Sequence, residues 1–540
     1  MQDTRCTVWQ ALTTSAERLP DKVAVVDGGE RITYSQLVER AGGLASALAR
    51  LGIVRGDVVA IYMKNSIELV TVFYALQRLG VCVAWVNPDY REHEVRHILD
   101  DSGAQTVVCF DEWEGFRHLD LVLSLAAGLP RLERVVAATT VPDGPLPSGV
   151  IRLQDLLKES GPLSYDDEAG VGVDVTPDDT SMLLYTSGTT GPPKGAVSRQ
   201  WQVVRDGHAY SPGIAATEGD VFIGFLFLSH SFGCGSLLVQ PLVLGATLVI
   251  MARFSVEESF RLIECERVSI QIASPAHYIL QLSSERRTGY DLSSLRSGLI
   301  SGQIAPPGLI GRVERELGVY ISSNLGSSEV GPGLSVMLPY QADLQVRERY
   351  VGYPIPGTEV KVVDPATGEE VACGEPGELL ISGWHLMQGY WNNPDATSRQ
   401  VVDGRLHTGD LVLQEESGLV QMLGRIKDCV NRGGYKVIPS ELEKLLIEHP
   451  AMEEVCVVPT PNPVLGESIC VCALVPDEEA LSLEEVRGFL QGRVADNKLP
   501  DELLVLQAFP RLSGGLKLNR HGKDGLAELA REATNKQTVR

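Results

Sequence analysis

The run Tyr185-Thr186-Ser187-Gly188-Thr189-Thr190-Gly191-Pro192-Pro193-Lys194-Gly195 concentrates hydroxyls, glycines and a lysine in one short segment. Such a loop, placed after a strand, presents backbone N–H groups and the hydroxyls of Thr186, Ser187, Thr189 and Thr190 to phosphate oxygens, and Lys194 adds positive charge. A plain surface turn needs none of this. Lys194 stands six residues after Gly188 and is followed by Gly195 rather than Ser or Thr, so the spacing is not that of a Walker loop. The segment reads as a phosphate cradle, and an ordinary P-loop ATPase is disfavoured.

Something must hold this loop, and the apolar run at 181–185 is the strand that enters it. Upstream, residues 34–51 carry Leu37, Ala41, Leu44, Leu48 and Leu51 at helical spacing and stop at Gly52. Buried strands are expected at 57–62 and 81–86, with a helix over 66–79 between them. This α/β alternation predicts mostly parallel, helix-covered sheets whose ligands sit beyond the carboxyl ends of strands. Further strands at 246–250 and 268–272 suggest a second sheet, and Gly- and Pro-broken strands over 351–412 suggest a small β-rich subdomain. Helices at 440–449 and 482–494 and strands at 454–459 and 469–474 form a compact α+β tail. The main boundary is placed near 425–428, giving domains of 1–424 and 425–540.

A chain of 540 residues exceeds one compact core, as expected of a large multidomain enzyme. The net charge of -23 argues against broad affinity for nucleic acid or an anionic membrane. The longest apolar stretch, 235–252, is interrupted by Gln240, Pro241 and Gly245, so it reads as buried strand and helix ends and no membrane span is expected. The start has no signal-peptide pattern, and the ten cysteines lack paired CxxC spacing, which points to reduced thiols and a cytoplasmic location. Cys470 and Cys472, two apart in an apolar run, are expected on one buried strand face.

The Tyr185–Gly191 loop with Pro193-Lys194-Gly195 resembles the signature of adenylate-forming enzymes, the family of acyl- and aryl-CoA ligases, luciferases and peptide-synthetase adenylation domains. The likeness runs from about Ile32 to Arg520 through Gly326-Ser327-Ser328-Glu329, Gly377-Glu378-Leu379, Gly389-Tyr390-Trp391, Thr408-Gly409-Asp410 and Gly424-Arg425-Ile426-Lys427-Asp428. The pattern is nearest to acyl- or aryl-CoA ligases. The resemblance implies a large N-terminal domain that binds ATP and a carboxylic acid, and a small, mobile C-terminal domain that carries a catalytic lysine.

Residue by residue, the resemblance implies that Thr186, Ser187, Gly188, Thr189, Thr190 and Lys194 wrap the phosphates of ATP. Glu329, a hard oxygen ligand, would hold Mg²⁺ together with Thr186. Asn324, Leu325, Gly326, Ser327 and Ser328 line the nucleotide, with Ser328 where Thr is usual and Leu325 in place of an adenine-stacking Tyr, a hint toward aryl acids. Ser301, Gly302, Gln303 and Ile304 belong to a turn that faces adenine and acid. Asp410 would accept both ribose hydroxyls, with Arg425 beside it. His230 and Phe232, in Leu228-Ser229-His230-Ser231-Phe232-Gly233, match the acyl-pocket motif. Amino-acid-activating relatives carry an Asp in that motif to pair with the ammonium, and none lies between Phe225 and Gly235, so an α-amino acid is disfavoured.

The C-terminal lysine that bridges carboxylate and α-phosphate is assigned to Lys517, because Lys-Leu-Asn-Arg resembles the residues that follow the family lysine; Lys523 is its rival. Lys427 would be a hinge about which the C-terminal domain turns, bringing Gly433 and Gly434 to a pantetheine arm and making CoA the expected acceptor. The implied reaction joins a small-molecule carboxylic acid, aryl or fatty, to CoA through an acyl-AMP. A carrier-protein thiol or a nitrogen nucleophile as acceptor, and a non-catalytic nucleotide-binding relative, are the alternatives.

Overall fold

The computed structural model describes residues 5–141, 144–158, 174–186, 192–432, 435–475, 481–511, 518–521 and 524–538. Internal contacts divide the chain into a first unit (Met1–Gly302, Leu309–Glu359 and Ile381–Leu406) and a second (Gln303–Gly308, Val360–Leu380 and His407–Arg540).

In the first unit local sequence signals set the elements. Helix Tyr34–Arg50 starts from Thr33, whose hydroxyl accepts the Gln36 amide while the Gln36 side chain accepts the Thr33 amide, and it buries Leu37, Ala41, Leu44 and Leu48. Helix Ile67–Leu79 is capped by Ser66 and ends at Gly80, which takes φ 68°. Strands Val58–Tyr62 and Cys82–Trp85, buried throughout, pair in parallel on either side of that helix in sequence. They belong to a seven-stranded sheet in the order Val150–Arg152, Arg134–Ala138, Thr106–Phe110, Val58–Tyr62, Cys82–Trp85, Thr180–Tyr185, Gly195–Arg199. Only the last pair is antiparallel.

A nine-stranded sheet carries parallel strands Tyr320–Leu325, Ser297–Ile300, Ile270–Ala273, Val221–Gly224, Thr247–Ile250 and Val23–Asp27 at its centre, with antiparallel strands at both edges. One core joins the two sheets, with Ile61, Val83, Leu248 and Ile270 packed around the Tyr34–Arg50 and Ile67–Leu79 helices. Two mostly parallel, helix-covered sheets are thus present as expected. The apolar stretch 235–252 resolves into a π-helical segment, Cys234–Val239, a helix, Gln240–Leu244, and strand Thr247–Ile250. No described helix is long and apolar enough to cross a membrane.

The β-rich region expected over 351–412 contains strands Thr358–Val363, Pro376–Gly383 and Arg405–Gln414, and the division between the units falls within it. In the second unit, strand Gly466–Leu474 runs antiparallel to Glu454–Asn462 and parallel to Glu502–Leu506. Its faces alternate: Ile469, Val471 and Ala473 pack with Leu442, Leu446, Val486 and Leu490, while Cys470 and Cys472 pack with Cys456, Phe509 and Leu526. The two cysteines therefore share a buried face, as the spacing predicts. The helix expected over 482–494 is shorter, Leu483–Leu490: the chain turns extended at Gln491, with ψ 128°, and Gly492 follows at φ 76°.

Candidate active site

Two paired antiparallel strands flank the phosphate loop. Strands Thr180–Tyr185 and Gly195–Arg199 pair with Tyr185 opposite Gly195, and beyond them the Thr186 amide donates to the Lys194 carbonyl at 3.0 Å. The sheet thereby clamps both ends of the loop; Ser187, Gly188, Thr189 and Thr190 lie outside the described residues. A second segment is laced to the same strand, with Val197 N donating to Gly389 O, Gln388 N to Val197 O and Trp391 N to Gly195 O. This ladder delivers Tyr390 to Lys194, whose Nζ lies 4.5 Å from the ring centroid. The Tyr390 hydroxyl donates to Glu329 Oε1 at 2.9 Å, and the Met387 amide donates to the Glu329 carbonyl at 2.8 Å. Burial, then the negative charge of Glu329, pushes the Tyr390 hydroxyl above its ordinary pKa, so it stays a donor. Lys194, Tyr390 and Glu329 form one connected chain. The Gly389-Tyr390-Trp391 motif is visible in the sequence, but the role of its tyrosine emerges only from the lacing.

Glu329 sits in a single turn, Ser328–Val330, at the end of strand Tyr320–Leu325. The chain doubles back here so tightly that a Cβ on Gly326 would fall 1.6 Å from the Gly333 carbonyl oxygen, which only glycine avoids. Ser327 precedes the turn and Ser328 opens it. Asn324 is buried and its amide oxygen has no hydrogen-bond partner among the described residues. That acceptor suits a ligand bearing an amine, as adenine does. Leu325 beside it is half-buried. Ser301 Oγ donates to the Asn324 carbonyl at 3.4 Å, bringing Ser301 and Asn324 together, and Gly302 follows at φ 87°. Gln303 and Ile304 belong to the second unit, where Ile304 is an exposed apolar residue.

In the acyl-pocket motif, His230 is exposed and caps the short helix Ser231–Gly233, its Nδ1 accepting the Phe232 amide at 3.2 Å. With Nδ1 accepting, the neutral ring carries its proton on Nε2. Phe232 is buried beside Tyr210. Two residues past this motif, the place a Gly235 Cβ would occupy is 3.0 Å from Oδ2 of Asp206, on helix Gln200–Ala209, a residue that lies outside the motif and carries no sequence signature.

In the second unit, Asp410 and Arg425 face each other across adjacent antiparallel strands. Arg425 Nε lies 2.7 Å from Asp410 Oδ1, and Nη1 donates to the Thr408 carbonyl at 3.0 Å. Asp410 is buried, and its amide donates to Thr408 Oγ1 at 3.0 Å. The pair presents a carboxylate already oriented by a cation, suited to receiving hydroxyl donors. Lys427 is exposed in the turn Ile426–Asp428. Gly433, Gly434, Lys517 and Lys523 lie outside the described residues.

The chain is similar to known proteins along most of its length. The family model for AMP-binding enzymes matches residues 12–391, and that for the AMP-binding enzyme C-terminal domain matches residues 441–523. A putative acyl-CoA synthetase of Bacillus subtilis, YngI, is 30% identical over 526 residues, covering 94% of this chain and 95% of its own. The 4-coumarate–CoA ligase 1 of Oryza sativa subsp. japonica is 31% identical over 537 residues, covering 96% and 92%. Among solved structures, ATP-bound MatB from Rhodopseudomonas palustris superimposes with a TM-score of 0.85 at 26% identity, covering 98% of this chain and 100% of that one.

Proposed function

The chain belongs to the AMP-binding enzyme family and is an AMP-forming acid–CoA ligase, and from that premise we propose which residues do the chemistry and on what class of acid. The observation that carries the reading is the chain Lys194–Tyr390–Glu329, which ties the phosphate loop to the carboxylate turn. Family members use ATP and CoA.

In the first half-reaction, a carboxylate oxygen of the acid attacks the α-phosphorus of ATP, the bond to the bridging oxygen breaks and pyrophosphate leaves. Thr186, Ser187, Gly188, Thr189, Thr190 and Lys194 would hold the phosphates through hydroxyls, amides and charge. Mg²⁺ binds through one or two carboxylates plus substrate phosphates. Glu329, a single carboxylate whose Oε1 is already oriented by Tyr390, fits that donor set, with Thr186 as the second proposed contact. Bound there, the ion would neutralise charge on the departing pyrophosphate. Gly326, Ser327 and Ser328 would back the α-phosphate, Asn324, Leu325, Gln303 and Ile304 the adenine, and Asp410 with Arg425 the ribose. Lys517 would counter the charge that builds between carboxylate and α-phosphate.

In the second half-reaction the thiol of CoA attacks the acyl carbon, its proton is lost, and AMP departs as the C–O bond breaks. Gly433 and Gly434 are proposed beside the CoA arm, with Lys427 as hinge after a domain boundary at 424/425. The acid is proposed to be aryl or fatty, with His230, Ser301 and Gly302 near its carboxylate and Phe232 behind its apolar part. A cytoplasmic location is proposed from the cysteine pattern.

The test is ATP–pyrophosphate exchange over a panel of aryl, short-chain and long-chain acids, followed by CoA, a carrier-protein thiol or amines with mass detection. Exchange with an aryl or fatty acid and formation of the acyl-CoA support the reading. Exchange confined to α-amino acids, or product only with a carrier protein or an amine, rejects it. No exchange with any acid would make the chain a non-catalytic nucleotide binder.

A further inference from the structure

Asp206 is fully buried, and its two carboxyl oxygens make no close hydrogen bond among the described residues, the Leu334 backbone amide being the one donor that influences it. A buried polar group left so costs on the order of 1–3 kcal/mol, and native structures carry few of them without reason. Burial drives this carboxyl well above the usual carboxylate range; the Leu334 amide favours the anion only weakly against it, and no cation is among the influences on it.

Its position supplies a reason. Asp206 Oδ2 lies 3.0 Å from where a Gly235 Cβ would be, and that same point is 2.9 Å from Pro332 Cβ. Gly235 lies two residues past the acyl-pocket motif, and Pro332 and Leu334 belong to the segment that follows Glu329. The two segments meet here: a Cβ on Gly333 would lie 3.9 Å from Ser231 Cβ and 3.6 Å from the Tyr210 hydroxyl. Asp206 and Tyr210, one turn apart in sequence, therefore floor the place where the carboxylate turn and the acyl motif converge.

A second observation stands independently at the same point. The helix continuing from the motif is π-helical over Cys234–Val239, an irregularity frequent at functional sites. It packs against the Asp206 helix through Gly207, where a Cβ would fall 2.8 Å from Val239 Cγ1. Gly235 lies five residues, about 7–8 Å along a helix, beyond His230, which would set Asp206 toward the end of the acid remote from its carboxylate.

We propose that Asp206 is a specificity-determining residue that accepts or shares a hydrogen bond with a hydroxyl or amino group on the distal part of the acyl chain or ring, a reading that rests on the acid-activating function above. The preferred acid is thus donor-bearing, and a purely hydrocarbon acid leaves the carboxyl unpaired. This adds a polar discriminator to a pocket whose motif carries no aspartate of its own, and it differs from α-ammonium recognition because the donor is remote from the carboxylate.

The experiment compares full-length wild type, Asp206→Asn and Asp206→Leu in pyrophosphate exchange. The acids share one skeleton and are unsubstituted, hydroxylated, or amino-substituted away from the carboxylate. Wild type should favour a donor-bearing acid about tenfold in kcat/KM, the size expected of one hydrogen bond. Asp206→Leu should erase that preference while the unsubstituted acid stays within about twofold, and Asp206→Asn, whose amide oxygen still accepts, should keep most of it. The hydroxylated and amino acids, run separately, tell which donor is recognised. Wild-type preference for the unsubstituted acid, an unchanged preference in Asp206→Leu, or an equal loss on every acid would overturn the proposal and leave Asp206 a hydrated structural carboxyl.

Absence of exchange with all acids in wild type would count instead against acid activation itself. Contact is then read by infrared difference spectra of ¹³C-aspartate-labelled protein with ATP and a donor-bearing acid. A carboxyl band that shifts in wild type and is lost in Asp206→Asn supports the contact; no shift rejects it.

Discussion

The hydroxyl of Tyr390 donates a 2.9 Å hydrogen bond to Oε1 of Glu329, and the face of the same ring lies 4.5 Å from Lys194 Nζ. One aromatic side chain therefore holds a cation through its π-face and a carboxylate through its hydroxyl. Neither charge is consumed by pairing with the other, so both can be directed at a ligand of opposite character, phosphate for Lys194 and a metal ion for Glu329.

Tyr390→Phe separates the two roles. Phenylalanine keeps the face under Lys194 and loses the bond to the Glu329 carboxylate, a change of about 1.5 kcal/mol, the low end for a hydrogen bond to a charged group. The magnesium concentration giving half-maximal pyrophosphate exchange should rise up to about tenfold, with KM for the acid unchanged. Tyr390→Leu also removes the cation–π contact, about 0.5–2 kcal/mol, and KM for ATP should rise as well. A magnesium titration of Tyr390→Phe superimposable on wild type would show that the hydrogen bond does not orient the carboxylate.

Glu329→Gln keeps shape and removes charge. An amide oxygen is a far weaker ligand for a hard divalent ion than a carboxylate, so exchange should demand more magnesium and fall at saturation. Since the turn is a single one, Ser328–Val330, anchored by the Met387 amide on the Glu329 carbonyl rather than its side chain, thermal stability should be little altered. Turnover unchanged across the titration would remove Glu329 from metal binding.

What could be read in the sequence was what local chemistry dictates. Helix Tyr34–Arg50 has its capping pair at Thr33 and Gln36, strand Val58–Tyr62 is a run of β-branched and apolar residues, and the phosphate loop carries its own composition. The apolar period of the second tail helix continues to Val494, but the chain leaves the helix at Gln491 and turns at Gly492, backbone changes that hydrophobic spacing does not report. Tyr390 and Asp206 were missed as functional groups for a different reason. The partners of Tyr390 are Glu329, 61 residues away, and Lys194, much farther off in the chain, and the meaning of Asp206 depends on Gly235 and Pro332, brought beside it by separate segments. Long-range apposition leaves no local pattern.

Asp206 also predicts a pH dependence of stability. Its folded pKa is raised above the unfolded value, near 3.9, by burial, so the folded state binds more protons than the unfolded one once pH exceeds that value. Stability then falls as pH rises, by up to about 1.4 kcal/mol per pH unit, until the folded pKa is passed. Asp206→Asn carries no such slope. In urea unfolding between pH 4 and pH 8, the stability of Asp206→Asn relative to wild type should grow with pH. A constant difference would mean that the carboxyl is ionised in the folded protein.

The lysine assignment can be decided by two substitutions, because residues 518–521 between the candidates are firmly held. Arg520 pairs with both carboxylate oxygens of Glu443 at 2.7 and 2.9 Å, His521 pairs with Asp428 at 2.7 Å, and the Asn519 amide donates to the Pro510 carbonyl at 2.9 Å. Residues 518–521 are thus fixed to the second unit from several sides, and a truncated lysine on either flank should leave the fold intact. Lys517→Ala should abolish pyrophosphate exchange, a step that needs charge at the α-phosphate, while thioester formation from supplied acyl-AMP and CoA, which does not, stays near wild type. Lys523→Ala should retain both activities. Exchange that survives Lys517→Ala and vanishes in Lys523→Ala would transfer the role to Lys523, and exchange that survives both would remove the C-terminal lysine from the adenylation step.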